Sequence, residues 1–186
     1  EIYAHSRSPV RLSFGGGGSD LTHYFNDYGG AVINITISLY SHAFLRKRND
    51  SQIYINSADL KSEITASDLD DLFSKQSEFG LITSVIKSIE PDFGFELYIN
   101  SDYPMSSGLG GSAVVSSAVI GCFNEFRTDK WDDHEMAELA YQAERILFNV
   151  AGGWQDQYAT VFGGFNFMEF RREQNIVHPL RLNKNV

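Results

Sequence analysis

Three groups of residues have the types and spacing to do chemistry. The first is the run Pro104, Met105, Ser106, Ser107, Gly108, Leu109, Gly110, Gly111, Ser112, Ala113. An alternating stretch, residues 93–100, precedes it and reads as a strand, and residues 114–126 follow and read as a buried helix. A glycine- and serine-rich loop between a strand and a helix start suits a polyphosphate. The first backbone N–H groups of a helix have no partner inside it, and the helix dipole favours an anion there. Glycines let the backbone approach such a ligand closely. An ordinary flexible loop ahead of a core helix has the same composition, so both readings stand at this point.

The second group is Gly15, Gly16, Gly17, Gly18, Ser19 and Asp20. A glycine run of this kind makes neither a helix nor a good strand. Asp20 ahead of residues 21–25 reads as the N-cap of a helical turn. The glycines then form a strand-to-helix turn that a ligand can press against; a hinge or linker is the alternative. The third group is a pair of acids. Glu144 follows Ala140 by four residues and precedes Leu147 by three, which puts it in or beside an apolar helix face. A carboxylate there is expensive unless it is paired or bound to a cation. It is either a ligand for Mg²⁺, which takes one or two carboxylates plus phosphates, or a structural partner of Arg145 or Arg11, or exposed at the edge of the face. Asp156 sits in the first turn of a short helix, where it either serves a site or simply suits the dipole.

Other uses of these residues fit less well. Gly108 to Ala113 also matches the dinucleotide fingerprint, but that motif needs a second strand and an acid about 20 positions on. Here residues 128–132 lead into another helix instead, which disfavours an oxidoreductase. No Lys-Ser or Lys-Thr follows the glycines, so the Walker pattern fails too. His5, His23, His42, His134 and His178 show no metal-ligand spacing.

These residues need elements to hold them. Residues 2–14 read as strand. Residues 31–46 alternate with a period of two, and residues 47–50 read as a polar hairpin turn to a returning strand over residues 52–56. Arg46, Lys47 and Arg48 read as part of that solvated turn. Ser67 and Asp68 cap a short helix, and residues 81–89 have helical spacing ended by Pro91. Val115, Val119, Cys122, Phe123 and Phe126 mark one helix face; Met136, Ala140, Ala143 and Leu147 mark another, on a helix that starts near Asp132. Val150, Ala151, Gly152 and Gly153 break that helix, residues 154–160 form a short one, and residues 165–170 and 176–182 read as strands.

Composition bounds the rest. The chain has 186 residues with 42% hydrophobic content, enough for a packed core. A net charge of −9 argues against a nucleic-acid surface or an anionic membrane. No apolar run is long enough to span a bilayer, and no signal peptide is visible. The lone Cys122 permits no internal disulfide, so a reducing cytoplasm is expected. The first residue is not methionine, which suggests a fragment.

Taken together, the segments resemble the GHMP kinases, the superfamily of galactokinase, homoserine kinase and mevalonate kinase. Residues 104–113 are similar to its phosphate loop, P-x-x-x-G-L-G-S-S-A, with Gly111 replacing the first serine. Ser8 to Asp20 resembles the N-terminal substrate motif. Ala143-Glu144-Arg145 with Gly153, Asp156 and Gln157 resembles the segment carrying the metal carboxylate and the catalytic aspartate. The branch it resembles most acts on D-glycero-D-manno-heptose 7-phosphate, through Gly16 to Asp20, Gly29-Gly30, Asn34, and residues 152–159 and 162–170.

This resemblance implies an α+β fold of the ribosomal protein S5 domain 2-like kind. Such a fold has an antiparallel or mixed sheet with helices on one side and a left-handed βαβ crossover, an uncommon hand. It implies that residues 1–186 are the N-terminal, ATP-binding domain, with the C-terminal ferredoxin-like domain of the family beyond this chain. It implies ATP and Mg²⁺, and a small sugar as partner. Pro104, Ser106, Ser107, Gly108, Leu109, Gly110, Gly111 and Ser112 would hold ATP, and Ser112 and Glu144 the metal. Asp156 and Arg11 would be catalytic. Gly16, Gly17, Gly18, Ser19, Asp20, Gly152 and Gly153 would meet the acceptor. Trp154 stands where a basic residue would help to hold a sugar phosphate. The rivals are a fucose or galactose 1-kinase of the same superfamily and a non-catalytic S5-like RNA-binding module, the latter opposed by the acidic balance.

Overall fold

A computed structural model describes residues 3–104 and 107–183. One seven-stranded sheet organises it. Its strands are β1 (Tyr3–Gly15), β2 (Gly30–Lys47), β3 (Ile53–Ser57), β4 (Ser62–Ala66), β5 (Phe95–Ser101), β6 (Phe165–Phe170) and β7 (Asn175–Pro179). The order is β4-β3-β5-β2-β6-β7, with β1 paired to β2. The long β2 is the axis: its first half pairs with β6, its second half with β5, and β1 runs antiparallel beside it. β3 and β5 are parallel, and the other pairings are antiparallel, so the sheet is mixed and the α+β class is the one expected.

The helices are α1 (Thr22–Tyr28), α2 (Leu69–Ser74), α3 (Gly80–Ile89), α4 (Gly111–Glu125), α5 (Asp133–Tyr141) and α6 (Gln155–Phe162); a π-helical turn over Gln142–Leu147 extends α5. Alternation along the strands decides which sheet face they cover. Ala43, Leu45, Ile53, Ile55, Leu97 and Ile99 point one way and pack with Ile82, Val85 and Ile86 of α3 and Val119 and Phe123 of α4. Phe44 and Tyr98 point the other way and are exposed. The parallel β3–β5 pair needs a crossover, supplied by β4, α2 and α3.

Four expectations need correction. Residues 47–50 do not turn a hairpin, because β5 lies between β2 and β3. The buried apolar pattern of Phe95, Leu97 and Ile99 makes β5 a central strand, and the chain after β2 steps over it. Arg46 and Arg48 are therefore not a solvated turn: both donate to Glu96 of β5, Arg46 Nε at 3.0 Å and Arg48 Nη1 at 2.8 Å. Helix α4 is buried as expected, Ser116 and Ser117 included, each hydroxyl satisfied by a carbonyl one turn back at 2.8 Å. On the α5 segment, Ala140 and Ala143 are buried as expected, but Leu147 is exposed and Glu144 is inside. The π turn, closed by Phe148 N–H to Ala143 C=O at 2.9 Å, adds a residue to the turn and rotates the face. Lastly, Leu21 rather than Asp20 is the N-cap of α1, with no side-chain cap.

Candidate active site

The first turn of α6 ties the three chemical groups together. Asp20, 3% exposed, does not cap its own helix; it reaches across the chain to this one. Its Oδ2 accepts from the Gln155 N–H at 3.0 Å and its Oδ1 from the Gly18 N–H at 3.0 Å. One carboxylate thus fixes the glycine turn to the start of α6, where an acceptor of free N–H groups is worth most. The fit is close. A Cβ on Gly153 would lie 2.0 Å from Asp20 Oδ2, so any side chain there would displace Asp20. Ser19 stitches the same turn to β2, its hydroxyl donating to Gly16 C=O at 2.6 Å and accepting from Ala31 N–H at 3.0 Å.

One residue on, Asp156 Oδ1 accepts from Arg11 Nε of β1 at 2.7 Å. Arg11 Nη1 also approaches Gly108 C=O at 3.5 Å. The phosphate-type loop comes within touch of this ion pair: a Cβ on Gly110 would be 3.2 Å from Asp156 Oδ2. Gly110 is the N-cap of α4 in the left-handed conformation, φ 75°, which glycine alone takes without cost. After another residue, Gln157 Nε2 donates to Glu144 Oε2 at 2.8 Å. Glu144 is 1% exposed, and its Oε1 accepts from the Ser112 hydroxyl and, at 3.3 Å, from Arg145 Nη1. Glu144 thus has its structural partner in Arg145, while Arg11 belongs to Asp156.

Most of the expected site residues meet here. Arg11, Asp20, Gly108, Gly110, Ser112, Glu144, Gly153 and Asp156 are linked through these contacts. Gly152 packs against the Arg145 guanidinium, and Arg145 Nη2 donates to Gly153 C=O at 3.3 Å. Pro104 and Ser107 are exposed at the loop's entrance. Met105 and Ser106 lie outside the described residues. Ser107, Gly111 and Ser112 also border a cavity of about 380 Å³, whose other walls include Leu60, Ile82 and Tyr103. Tyr103 donates or accepts at 2.7 Å with Ser41 Oγ, and burial raises its hydroxyl pKa. Sequence reasoning missed Asp59 and Leu60 as neighbours of the loop, because they join it only through the β3–β5 pairing, and passed over Tyr103, which directly precedes the loop.

Ser112 and Glu144 side by side offer one hydroxyl and one carboxylate, hard oxygen donors of the kind Mg²⁺ takes alongside phosphate and water. Among the described residues no group of three or more His, Cys, Asp or Glu side chains could hold a metal alone. The donor set therefore fits a cation that arrives with a phosphate ligand, and does not fit a permanent protein-only cage. No helix among the described residues is long and apolar enough to cross a membrane.

Residues 80–164 match the family model for the GHMP kinases N terminal domain. The chain carries a GHMP kinase N-terminal domain. It is 40% identical over 183 residues to a D-glycero-alpha-D-manno-heptose 7-phosphate kinase of Campylobacter jejuni, covering 95% of this chain and 54% of that protein. A crystal structure of a D-glycero-D-manno-heptose 1-phosphate kinase from Bacteroides thetaiotaomicron superposes with a TM-score of 0.87 at 33% identity, covering 98% of this chain and 61% of that one. Lactococcus lactis galactokinase, solved with galactose, shares the fold at a TM-score of 0.82 and 24% identity, with 98% and 48% of the two chains covered. The GHMP kinase domain described here spans about half the length of the curated relatives it matches.

Proposed function

We propose that this domain is the ATP-binding part of a sugar kinase. It would transfer the γ-phosphate of ATP to the anomeric hydroxyl of D-glycero-D-manno-heptose 7-phosphate, giving the 1,7-bisphosphate. The observation that carries this is the Arg11–Asp156 ion pair, 2.7 Å long, standing against Gly110 of the phosphate-type loop. A carboxylate so placed can meet a hydroxyl beside a phosphate chain. The 40% identity to a heptose 7-phosphate kinase supports the substrate class. In this reading residues 1–186 form the N-terminal domain, and a C-terminal domain of the whole protein completes the cleft.

Each residue then has a role. Backbone N–H groups from Ser107 to Ser112, leading into α4, cradle the phosphates, with the Ser106 assignment outside the described residues. The neighbouring cavity of about 380 Å³ has room for the nucleoside. Ser112 and Glu144 hold Mg²⁺, which neutralises charge on the transferring phosphate. Asp156 orients the acceptor hydroxyl and takes its proton, while Arg11 fixes the carboxylate and stabilises charge near the nucleophile. The Gly16 to Gly18 backbone, with Ser19, Gly152 and Gly153, borders the sugar. Asp20 keeps its free lone pairs for sugar hydroxyls only as far as its two backbone bonds allow, so its main part is to hold the glycine turn in place. Phosphoryl transfer leaves the protein little covalent work, and positioning dominates.

The test is Mg²⁺-dependent ATP turnover by the full-length protein on heptose 7-phosphate, mannose, galactose and fucose. Turnover confined to heptose 7-phosphate is the expected result. Turnover on an unphosphorylated sugar keeps the mechanism and replaces the substrate, with Trp154 marking the lost phosphate contact. Mg·ATP binding without turnover on any sugar refutes the proposed acceptor.

A further inference from the structure

The kinase reading leaves the buried Gln157 without a task. We infer that Gln157 is a positioning residue that fastens the Glu144 carboxylate to α6 and so keeps the metal side and the acceptor side of the site in one register. The inference rests on the proposed kinase reading and deepens it.

The carboxylate stands on an unusual support. Glu144 lies inside the π turn, which is closed by Phe148 N–H to Ala143 C=O at 2.9 Å; its own carbonyl accepts from Val150 N–H at 3.1 Å, past the end of the turn. A π turn is wide and rare, and it does not by itself fix where a side chain points. The direction must come from groups outside it. Ser112 and Arg145 both act on Oε1. Oε2 is held by Gln157 Nε2, at 2.8 Å.

Gln157 itself is fully buried, and its Oε1 has no partner among the described residues. A leucine or methionine would fill the same space without burying an unsatisfied carbonyl, which is unfavourable. The amide is thus not explained by packing. Its orientation is settled by chemistry, because turning it over would set a carbonyl oxygen against a carboxylate. Gln157 is also the neighbour of Asp156 on α6. Adjacent helical residues point about 100° apart, so one turn sends Asp156 to Arg11 and Gln157 to Glu144. Any shift of α6 moves both together. Without Gln157, Oε2 loses its donor. Arg145, already bonded to Ala151 C=O at 3.4 Å and Gly153 C=O at 3.3 Å, can then draw the carboxylate away from Ser112.

Groups that orient a metal ligand typically contribute about 10- to 100-fold in metal affinity. The experiment titrates Mn²⁺ into the full-length protein in the presence of ADP, read by the loss of the free Mn²⁺ electron paramagnetic resonance signal, for the unmutated protein and Gln157→Leu. The expected result is Mn²⁺ binding weakened by about 10- to 100-fold, with acceptor KM changed by less than about 3-fold and turnover recovering as Mg²⁺ is raised. A folded variant with unchanged Mn²⁺ affinity overturns the inference and leaves Gln157 a packing residue. Should Gln157→Leu not fold, Gln157→Asn keeps the amide one methylene too short to reach and carries the same two outcomes. Absence of ADP-dependent Mn²⁺ binding in the unmutated protein overturns the kinase reading and this inference with it. Intact binding in every variant overturns this inference alone.

Discussion

Replacing Gly153 by alanine should loosen the site through Asp20. The new Cβ would fall 2.0 Å from Asp20 Oδ2 and 2.4 Å from its Cγ, far inside van der Waals contact. Asp20 is buried and cannot swing into solvent without abandoning the Gly18 and Gln155 N–H groups. Hydrogen bonds to a charged group contribute about 1.5–3 kcal/mol each. Losing one outright and straining the other costs about 3 kcal/mol. For a domain of this size that lowers Tm by about 6–12 °C. The start of α6 moves with Asp20, and a displacement of about 1 Å at Asp156 reduces turnover about 100-fold. Tryptophan fluorescence reports the unfolding, since Trp154 follows the substitution and stacks on Tyr141 at 3.5 Å. Gly17→Ala is the control: its Cβ meets nothing nearer than Gln155 Nε2 at 3.7 Å, so Tm should change by less than about 2 °C. A Gly153→Ala protein that melts and turns over like the unmutated one would refute the claim that Asp20 locks α6.

Further expectations follow from single residues. Asp156→Asn should lower kcat more than it raises acceptor KM in the full-length protein, because the amide still accepts from Arg11 but cannot take a proton; steady-state kinetics with near-normal kcat would remove the catalytic role. Burial pushes the Cys122 thiol from 9.0 up to about 12. The unfolded chain gives up this proton first, so the thiol's contribution is whole below pH 9 and is lost between pH 9 and 12. Urea titrations should show stability falling there by up to about 1.4 kcal/mol per pH unit from this group, and the slope should flatten in Cys122→Ala. The acid side has its counterpart in Glu96, whose carboxyl is held below its ordinary 4.5 chiefly by the hydrogen bond from Arg46. Its contribution is present above pH 4.5 and falls away as the pH drops through the lowered value, so Glu96→Gln should reduce the loss of stability on acidification.

Much of this protein is legible from local chemistry. The strand, glycine loop and helix around residues 95–125, the Asp68 and Asp132 caps, and the break at Gly152-Gly153 depend on φ preferences, hydrogen-bonding side chains and apolar spacing that act within a few residues. Those same features name Gly110, Ser112, Glu144 and Asp156 as candidates. What they leave open is every choice made across the chain. Periodicity gives the 31–46 and 52–56 segments as neighbouring strands, but it cannot see that β5, far along the chain, pairs with both and takes the place between them. A 3.6-residue period turns Leu147 inward; the π turn adds a residue, and Glu144 is buried in its stead. Asp20 has the sequence of a local N-cap, yet its carboxylate goes to Gly18 and to Gln155 at the start of α6, 135 residues away. The pairings Arg11–Asp156, Ser112–Glu144 and Gln157–Glu144 join segments that only the sheet and the packing of α4 against α6 bring together. Residue types and spacing select the chemistry; which carboxylate meets which cation is a question of distance, and distance is a property of the folded chain.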